Sequence, residues 1–225
     1  MNLLQQSLAV ARKDLAIELR TKESLNAAAS FAIVILLIFS FAFDSFADEM
    51  NEFGGGLLWL VFAFAGALVF NRGFARELPN ECLDTLLAAP LSAAALIIGK
   101  ALANFATLLV VELVSMIVFG IFYGVDWLAQ AGGLGVVFAL VTWGVSILGA
   151  VFGALTVNLR LRELMLPVII YPLMIPLLIA AIELTDTVLQ HQPVSGQMQW
   201  VRVLVASDIV FTVLAWVLAD TILVN

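Results

Sequence analysis

The stretch RGFARELPNECLDTLLAAPLSAAALIIGK, residues 72–100, decides how this chain is arranged. It is the longest polar interruption between two hydrophobic segments on the side that we expect to be cytoplasmic. Pro79 and Pro90 bracket a short helix over residues 80–89, because the residue before a proline is pushed away from helical angles. The sequence therefore predicts a helix that lies outside the bilayer between two spanning helices.

This short helix has a polar start and one apolar face. Asn80 is a suitable N-cap, and Glu81 lies in the first turn, where the helix dipole favours negative charge. Leu83, Leu86 and Leu87 recur at i, i+3 and i+4 and share one face. Such a helix either rests on the lipid surface or offers its apolar face to the groove of a soluble partner.

The composition is that of an integral membrane protein. Hydrophobic residues make up 63% of the chain and charged residues 12%, and the mean hydropathy is +1.10. The single cysteine, Cys82, excludes an internal disulfide and a two-cysteine metal site. The single histidine, His191, excludes a bis-histidine haem site within the chain.

Residues 1–22 predict an amphipathic helix in the plane of the membrane interface. They have no signal-peptide cleavage pattern and carry too much charge to span. A plain cytosolic extension is the alternative. One face of the predicted helix is an apolar stripe formed by Leu4, Leu8, Ala11, Leu15 and Leu19. The cationic residues that would bind anionic lipid are Arg12, Lys13, Arg20 and Lys22.

Six spanning segments follow, each long enough for one crossing. They cover about 24–43, 53–71, a third from within 91–100 to about Tyr123, 133–157, 164–182 and 201–221. The last is the weakest because Arg202 and Asp208 interrupt it. We expect one all-α transmembrane domain over residues 1–225, with no soluble domain.

The basic residues orient these spans. With the N-terminus in the cytoplasm, nine of the ten Lys and Arg residues face inward and only Arg202 faces outward. The inward set is Arg12, Lys13, Arg20, Lys22, Arg72, Arg76, Lys100, Arg160 and Arg162. The predicted external loops hold the acidic residues Asp44, Asp48, Glu49, Glu52, Asp126, Glu183 and Asp186.

Two acidic residues interrupt predicted spans. A carboxylate at mid-membrane costs several kcal/mol unless it is protonated, paired or facing water. Glu112 is therefore either part of a translocation path or subunit interface, or a neutral carboxyl hydrogen-bonded to a neighbouring helix. Asp208 belongs to the same class if the sixth span starts near Trp200.

The fifth span carries Pro167, Pro172 and Pro176, each of which removes a helical hydrogen bond. This span is therefore predicted to be bent or broken. Broken helices mark moving or substrate-facing parts of transporters, whereas static kinks are buried by their neighbours. The pair Gly149 and Gly153 predicts close helix packing.

The layout resembles the ABC-2 class of ABC-transporter permeases, which have an N-terminal interfacial helix, six spans and a cytosolic coupling helix between the second and third spans. Residues 77–100 are similar to the class pattern E-x3-G-x-L-x-x-L-x3-P-x9-K. The matching positions are Glu77, Leu83, Leu86, Pro90 and Lys100, while Glu81-Cys82 stands where a glycine is common. The resemblance implies that this stretch contacts a separate ATPase subunit.

Within that class, the chain resembles the haem exporter protein B family (CcmB) of cytochrome c maturation. The resemblance rests on KDLAIELRTKES at 13–24, on LLAAPLS within the coupling stretch and on LRELMLPVIIYPLMIPLLIAA at 161–181. It implies a permease of the bacterial inner membrane that pairs with a cytoplasmic ATPase, a second permease copy, a haem-handling membrane protein and a periplasmic haem chaperone.

The resemblance further implies that ATP acts through the partner subunit. Its hydrolysis would drive haem export or the release of the haem-loaded chaperone. We expect no catalytic residue, no directly bound cofactor, no metal site and no nucleic-acid partner. Two other readings stay open. One is an ABC-2 exporter of another lipid-linked or amphipathic small molecule, and the other is a membrane scaffold whose central helix only binds lipid.

Overall fold

The computed structural model of the protein describes residues 2–42, 47–77, 91–157, 159 and 161–224; at 47–52, 162 and 224 it describes the backbone only. All elements of these residues are helical, so the predicted all-α fold is confirmed. The seven α-helices are α1 Leu3–Thr21, α2 Glu23–Ala42, α3 Ala47–Gly73, α4 Ala93–Tyr123, α5 Ala131–Thr156, α6 Arg162–Leu189 and α7 Met198–Val224. Short 3-10 turns cover Ala75–Glu77, Leu128–Gln130 and Val194–Gln197.

Six helical segments are long and apolar enough to cross a membrane, as predicted. They are Glu23–Ala42, Phe53–Glu77, Ala93–Tyr123, Leu128–Thr156, Glu163–Leu189 and Val194–Leu223. The protein is therefore a multi-pass membrane protein. We call the end of the bundle that carries α1 the α1 side and the opposite end the far side.

Two helices are longer than predicted on the far side. The acidic residues Asp48, Glu49 and Glu52 lie in α3, and Glu183 and Asp186 lie in α6, instead of in loops. The contact between these ends accounts for the longer α6, because the N–H of Gly55 on α3 donates to Asp186 Oδ1 at 2.8 Å. One turn inward, Trp59 Nε1 donates to Thr185 Oγ1 at 2.8 Å.

Helix α1 lies against α4 and turns directly into α2. Lys22 ends α1 in the left-handed conformation (φ 53°), and its N–H donates to the carbonyl of Glu18. Gly99 on α4 allows the close approach, since a Cβ there would lie 2.6 Å from Val10 Cβ and 2.7 Å from Ser7 O. Leu4, Leu8 and Leu19 remain exposed, consistent with a helix that meets lipid on its outer face.

The pair Gly149 and Gly153 on α5 packs against α3, which confirms the predicted close packing. A Cβ at Gly149 would lie 2.4 Å from the Phe70 ring, and one at Gly153 would lie 3.3 Å from the Phe74 ring. The rings of Phe70 on α3 and of Phe74 just after it therefore occupy the space that larger side chains on α5 would fill.

The three prolines do not break the fifth span, so of the two predicted outcomes the bent helix remains as the prediction. Helix α6 runs without interruption from Arg162 to Leu189 with Pro167, Pro172 and Pro176 inside it. Pro172 and Pro176 are exposed and Pro167 is half-buried. The buried face of the helix is formed by other residues, Leu166, Ile170, Met174 and Leu177.

Candidate functional site

A cluster of charged side chains lies on the α1 side, where the chain enters and leaves residues 78–90. We call it the Lys100 cluster, and its members are Lys13, Asp14, Glu18, Arg76, Glu77 and Lys100. Three are cations and three are anions, so the cluster is formally neutral. It joins α1 to the end of the α3 segment and to the start of α4.

Lys100 is the centre of this cluster and is only 1% exposed. Its Nζ donates to Glu77 Oε1 at 2.8 Å and to the carbonyl of Gly73 at 2.8 Å, and it pairs with Asp14 Oδ2 at 3.0 Å. An ammonium group has three donors, and each has an acceptor here. The Nζ also lies 5.1 Å from the centre of the Phe74 ring, within cation–π range.

Glu77 lies at the last described position before residue 78 and is 7% exposed. Its Oε1 accepts from both Lys100 and Lys13. Its backbone N–H donates to the carbonyl of Phe74 at 3.0 Å, which closes the 3-10 turn after α3. The backbone and the side chain of Glu77 together fix the position of the chain just before residue 78.

A second ion pair, Arg76 with Glu18, holds the turn between α1 and α2. Arg76 Nη2 donates to Glu18 Oε2 at 2.5 Å and to Ser24 Oγ at 2.7 Å. The other oxygen of Glu18 accepts the N–H of Leu25 at 2.8 Å and so caps the start of α2. Arg76 thus connects the segment after α3 both to the end of α1 and to the start of α2.

These contacts set the ionisation of Glu18 and Lys13, two of the α1 residues in the cluster. Burial alone would raise the pKa of Glu18, but the Leu25 N–H and Arg76 outweigh it, and the pKa is lowered. Burial alone would lower the pKa of Lys13, but Glu77 and Asp14 outweigh it, and the pKa is raised. Both groups are held in their charged forms.

The structure brings together two of the predicted coupling residues, Glu77 and Lys100. The others, Glu81, Leu83, Leu86, Leu87 and Pro90, lie outside the described residues. The sequence reasoning missed the contribution of α1. Lys13 pairs with acidic side chains instead of serving only as a lipid-facing cation, and Asp14 and Glu18 were not singled out. The sequence does indicate this role through the spacing of Val10, Asp14 and Glu18. Residues four apart share one face of a helix, so both carboxyl groups lie on the face that packs against the bundle.

Glu112 occupies the middle of α4 and is 2% exposed. Thr142 on α5 donates its hydroxyl to Glu112 Oε1 at 2.5 Å. Glu112 Oε2 has no hydrogen-bond partner in the described part of the chain. The carboxyl group therefore has a hydrogen bond to a neighbouring helix, as one of the two interpretations of Glu112 predicted. This bond uses only one of its two oxygens.

Asp208 lies within α7, which starts at Met198, so the condition for placing it inside the sixth span is met. Its Oδ1 is buried and has no partner among the residues that the structure describes. A Cβ at Gly144 on α5 would lie 2.4 Å from this oxygen. Asp208 thus packs against the bare backbone of α5, while Arg202 is exposed near the start of the helix.

His191 follows α6 on the far side with a left-handed backbone (φ 58°). Its Nδ1 lies 3.0 Å from the carbonyl of Leu189. Within the described ranges, no three His, Cys, Asp or Glu side chains come together as ligands for a metal ion. The ion pairs between helices described above lie instead on the α1 side, in the Lys100 cluster.

In the described part of the chain, seven α-helices, six segments long and apolar enough to span a membrane, and an ion-pair cluster that joins α1 to the bundle define a polytopic α-helical membrane protein. Residues 5–224 match the model of the family described as CcmB protein, and the chain belongs to this family. The match includes α1 from residue 5 onward and all six spanning segments.

Several proteins named Heme exporter protein B are similar to this chain. The protein of Pseudomonas aeruginosa is 29% identical over 209 residues, which cover 92% of each chain. The protein of Rhodobacter capsulatus is 28% identical over 176 residues, 78% of this chain and 80% of its own. The protein of Escherichia coli K12 is 25% identical over 177 residues, 78% of this chain and 80% of its own.

Proposed function

We propose that this chain is the permease subunit of an ABC transporter for cytochrome c maturation. It couples ATP hydrolysis by a separate cytoplasmic ATPase to haem export or to the release of a haem-loaded periplasmic chaperone. Membership of the CcmB family and similarity to proteins named Heme exporter protein B support this assignment. Haem is substrate or cargo of the complex in this proposal, and ATP is bound by the partner subunit.

The observation that carries the mechanism is the ion pair between Glu77 and Lys100. These residues flank the stretch that resembles a coupling helix, and a movement of that stretch pulls on both of them. Because Lys100 also pairs with Asp14, and Glu77 with Lys13, the same movement reaches α1 and α4. The cluster therefore links a displacement at residues 78–90 to the packing of the spanning helices.

The proposed partners follow from this role. In this proposal the apolar face predicted for Leu83, Leu86 and Leu87 binds a groove of the ATPase, with Glu81 in the first turn of the predicted helix and Pro90 after its end. A second permease copy completes the transporter. A haem-handling membrane protein and a periplasmic haem chaperone act on the other side.

The proposed location is the bacterial inner membrane with the N-terminus in the cytoplasm. The basic residues of α1, of the turn after α3 and of the start of α4 lie on one side of the bundle, and Arg202 lies on the other. The positive-inside rule puts the first side in the cytoplasm. The ATPase then meets residues 78–90 from the same compartment in which ATP is available.

The test is a haem stain for covalently bound c-type cytochromes in membranes of a strain lacking this gene. We expect the stain to disappear in the deletion strain and to return with the wild-type chain. A Leu83→Asp/Leu86→Asp chain should not restore it, although immunoblotting should show it in the membrane at wild-type amounts. Unchanged staining in the deletion strain would remove the haem assignment.

A further inference from the structure

A polar cavity of about 230 Å³ lies between α1, the start of α2, the end of α3 and α4, and we call it the α1 cavity. The exposed residues of its lining are Ile17, Thr21 and Glu23, so it opens at the turn between α1 and α2. At about 30 Å³ for each water molecule, it has room for about seven waters or for a small polar group. Its inner wall consists of the buried residues Ser24, Val69, Ala103, Asn104 and Thr107.

The side chain of Asn104 on α4 faces this cavity without a hydrogen bond. Asn104 is only 7% exposed, and its amide group has no partner within the described ranges. The amide is nevertheless accessible to a small molecule, because Asn104 lines the cavity and its atoms are not among the unpaired side-chain atoms that are fully enclosed. Buried amides in proteins are nearly always hydrogen-bonded. Asn104 therefore offers an unused hydrogen-bonding group to whatever enters the cavity.

In the part of the chain that the structure describes, four carboxyl groups and one cation line the cavity. The carboxyl groups are those of Asp14, Glu18, Glu23 and Glu77, and the cation is Arg76. A carboxylate has about four lone-pair positions. In Glu77 both hydrogen bonds go to Oε1, so Oε2 has no donor among the described residues and is not enclosed. The cavity therefore has acceptors to spare and lacks donors.

The other cations that pair with these carboxyl groups lie outside the lining of the cavity. They are Lys13, Arg72 and Lys100. Carboxylate oxygens thus face the interior of the cavity, while most of the positive charge that balances them lies behind its walls. This arrangement favours an occupant that carries positive charge and donates hydrogen bonds.

A group with several donors fits these acceptors better than a metal ion does. Within the described ranges, no three His, Cys, Asp or Glu side chains converge as metal ligands. A primary ammonium group has three N–H donors and one positive charge, and it can bond to acceptors on different walls. The neutral acceptors of the inner wall suit it as well, since Thr107 donates its hydroxyl to the carbonyl of Ala103 and keeps lone pairs for a second bond.

The mouth of the cavity lies at the level of lipid headgroups. Helix α2 begins at Glu23, so the mouth lies where the first spanning segment enters the bilayer. Polar headgroups occupy this level outside the hydrocarbon core. Ile17 is 38% exposed at the rim and offers an apolar edge to an acyl chain. A lipid headgroup therefore has direct access to the cavity.

We propose that the α1 cavity binds a primary ammonium group, which donates to the amide oxygen of Asn104 and the hydroxyl oxygen of Thr107 and is balanced by the surrounding carboxylates. The ammonium group belongs either to the phosphoethanolamine headgroup of a lipid or to a free amine, since both present the same three donors. This inference assumes nothing about ATP or haem.

The test is native mass spectrometry of the purified protein in detergent, titrated with phosphatidylethanolamine and with phosphatidylcholine of the same acyl chains. The two headgroups have the same charges, but three methyl groups replace the N–H donors in phosphatidylcholine. We expect phosphatidylethanolamine to bind at least about ten-fold more tightly, because hydrogen bonds between charged groups are lost in the other lipid. Soluble phosphoethanolamine distinguishes the sources. If it also binds, the site accepts free amines, and if only the lipid binds, the ligand is a lipid headgroup.

Two variants with matched controls locate the binding. Asn104→Leu should weaken the binding of phosphatidylethanolamine roughly ten- to a hundred-fold, whereas Asn26→Leu, at an exposed position of α2 outside the lining, should leave it unchanged. Gly73→Leu should block the cavity, because a Cβ at Gly73 meets only Asn104 Oδ1 at 3.7 Å and the added side chain extends into the open space. Gly56→Leu on α3, where no heavy atom lies within 4 Å of the Cβ position, is its control.

Three outcomes would overturn the proposal. Equal affinities of the two lipids for the wild type would show that the ammonium donors are not recognised. Failure of both phosphatidylethanolamine and phosphoethanolamine to bind would show that the cavity holds only water. Unchanged binding in Asn104→Leu and Gly73→Leu would place the lipid elsewhere. The comparison of the two lipids needs no variant, so a misfolded variant does not remove the test. None of these results would bear on the haem stain, so this inference and the proposed function fail separately.

Discussion

Lys100 on α4 and Glu77 in the turn after α3 are 23 residues apart in sequence, and they form a buried ion pair with a distance of 2.8 Å. The pair closes the base of the stretch at residues 78–90. Replacing Lys100 leaves the carboxylates of Glu77 and Asp14 with Lys13 as their shared cation, and the loss of a partner from a buried ion pair costs about 3–5 kcal/mol. Replacing both Lys100 and Glu77 with uncharged groups leaves Lys13 paired with Asp14, so most of that penalty is removed.

We therefore expect Lys100→Met to destabilise the protein by about 3–5 kcal/mol, and Glu77→Gln to destabilise it in the same direction. The double variant should be far more stable than the sum of the two predicts. Thermal unfolding of the purified protein in detergent measures this coupling. Additive effects in the double variant would contradict a direct pair.

The contact between α1 and α4 depends on Gly99. A Cβ at this position meets Val10 Cβ and the carbonyl of Ser7, and backbone atoms cannot move aside as a flexible side chain can. Gly99→Ala should therefore cost about 1–3 kcal/mol through overpacking. It should also make α1 more sensitive to protease.

The matched control is Gly56→Ala on α3, where no heavy atom lies within 4 Å of the Cβ position. We expect this change to be neutral or to stabilise by up to about 1 kcal/mol through helix propensity. Equal losses in the two variants would show that α1 is not held by close packing at Gly99.

Acid should loosen the turn between α1 and α2. The pKa of Glu18 is lowered from its ordinary value of 4.5, so its stabilising effect is present above that value. This stabilisation is lost as the pH falls from about 4.5 through the lowered pKa of the folded state. Unfolding temperatures between pH 7 and pH 3 should therefore fall less steeply for Glu18→Gln than for the wild type.

The control for this pH series is Glu163→Gln, which changes an exposed carboxyl group at the start of α6. Its profile should follow that of the wild type. If Glu18→Gln also followed the wild type throughout, the Arg76 and Leu25 contacts would not control the acid response.

The hydroxyl of Thr142 should matter more than other buried hydroxyls of the bundle. Thr142→Val removes the one donor that Glu112 has among the described residues, whereas Thr107→Val removes only a bond to Ala103 O within α4. We expect a loss of about 0.6–1.7 kcal/mol for Thr142→Val and a smaller one for Thr107→Val. Unfolding in detergent compares them, and equal losses would contradict a special role for the Glu112 contact.

Hydropathy was sufficient to predict the number of spans, and the spacing of Gly149 and Gly153 predicted their packing role. Hydropathy and charge failed at the ends of α3 and α6, because the acidic Asp186 is typical of a loop until its bond to Gly55 is known. The prolines of α6 predicted a bent or broken span, and the helix is continuous through all three, with Pro172 on its exposed face.

The sequence alone predicted only some members of the Lys100 cluster. The class pattern marked Glu77 and Lys100, yet spacing alone does not reveal that they contact each other. Asp14 and Glu18 look like ordinary polar residues of an amphipathic helix. Only the tertiary packing of α1 on α4 shows that they face inward and meet cations from distant parts of the chain.

The central claim is that residues 78–90 hold a separate ATPase. It is tested by measuring ATP hydrolysis in the tagged protein after mild purification from native membranes. We predict ATPase activity with the wild type and with Leu159→Asp, a substitution at an exposed position on the α1 side of the bundle. We predict none with Leu83→Asp/Leu86→Asp. An ATPase that remained bound to the Leu83→Asp/Leu86→Asp protein, or wild-type protein without ATPase activity, would contradict the account.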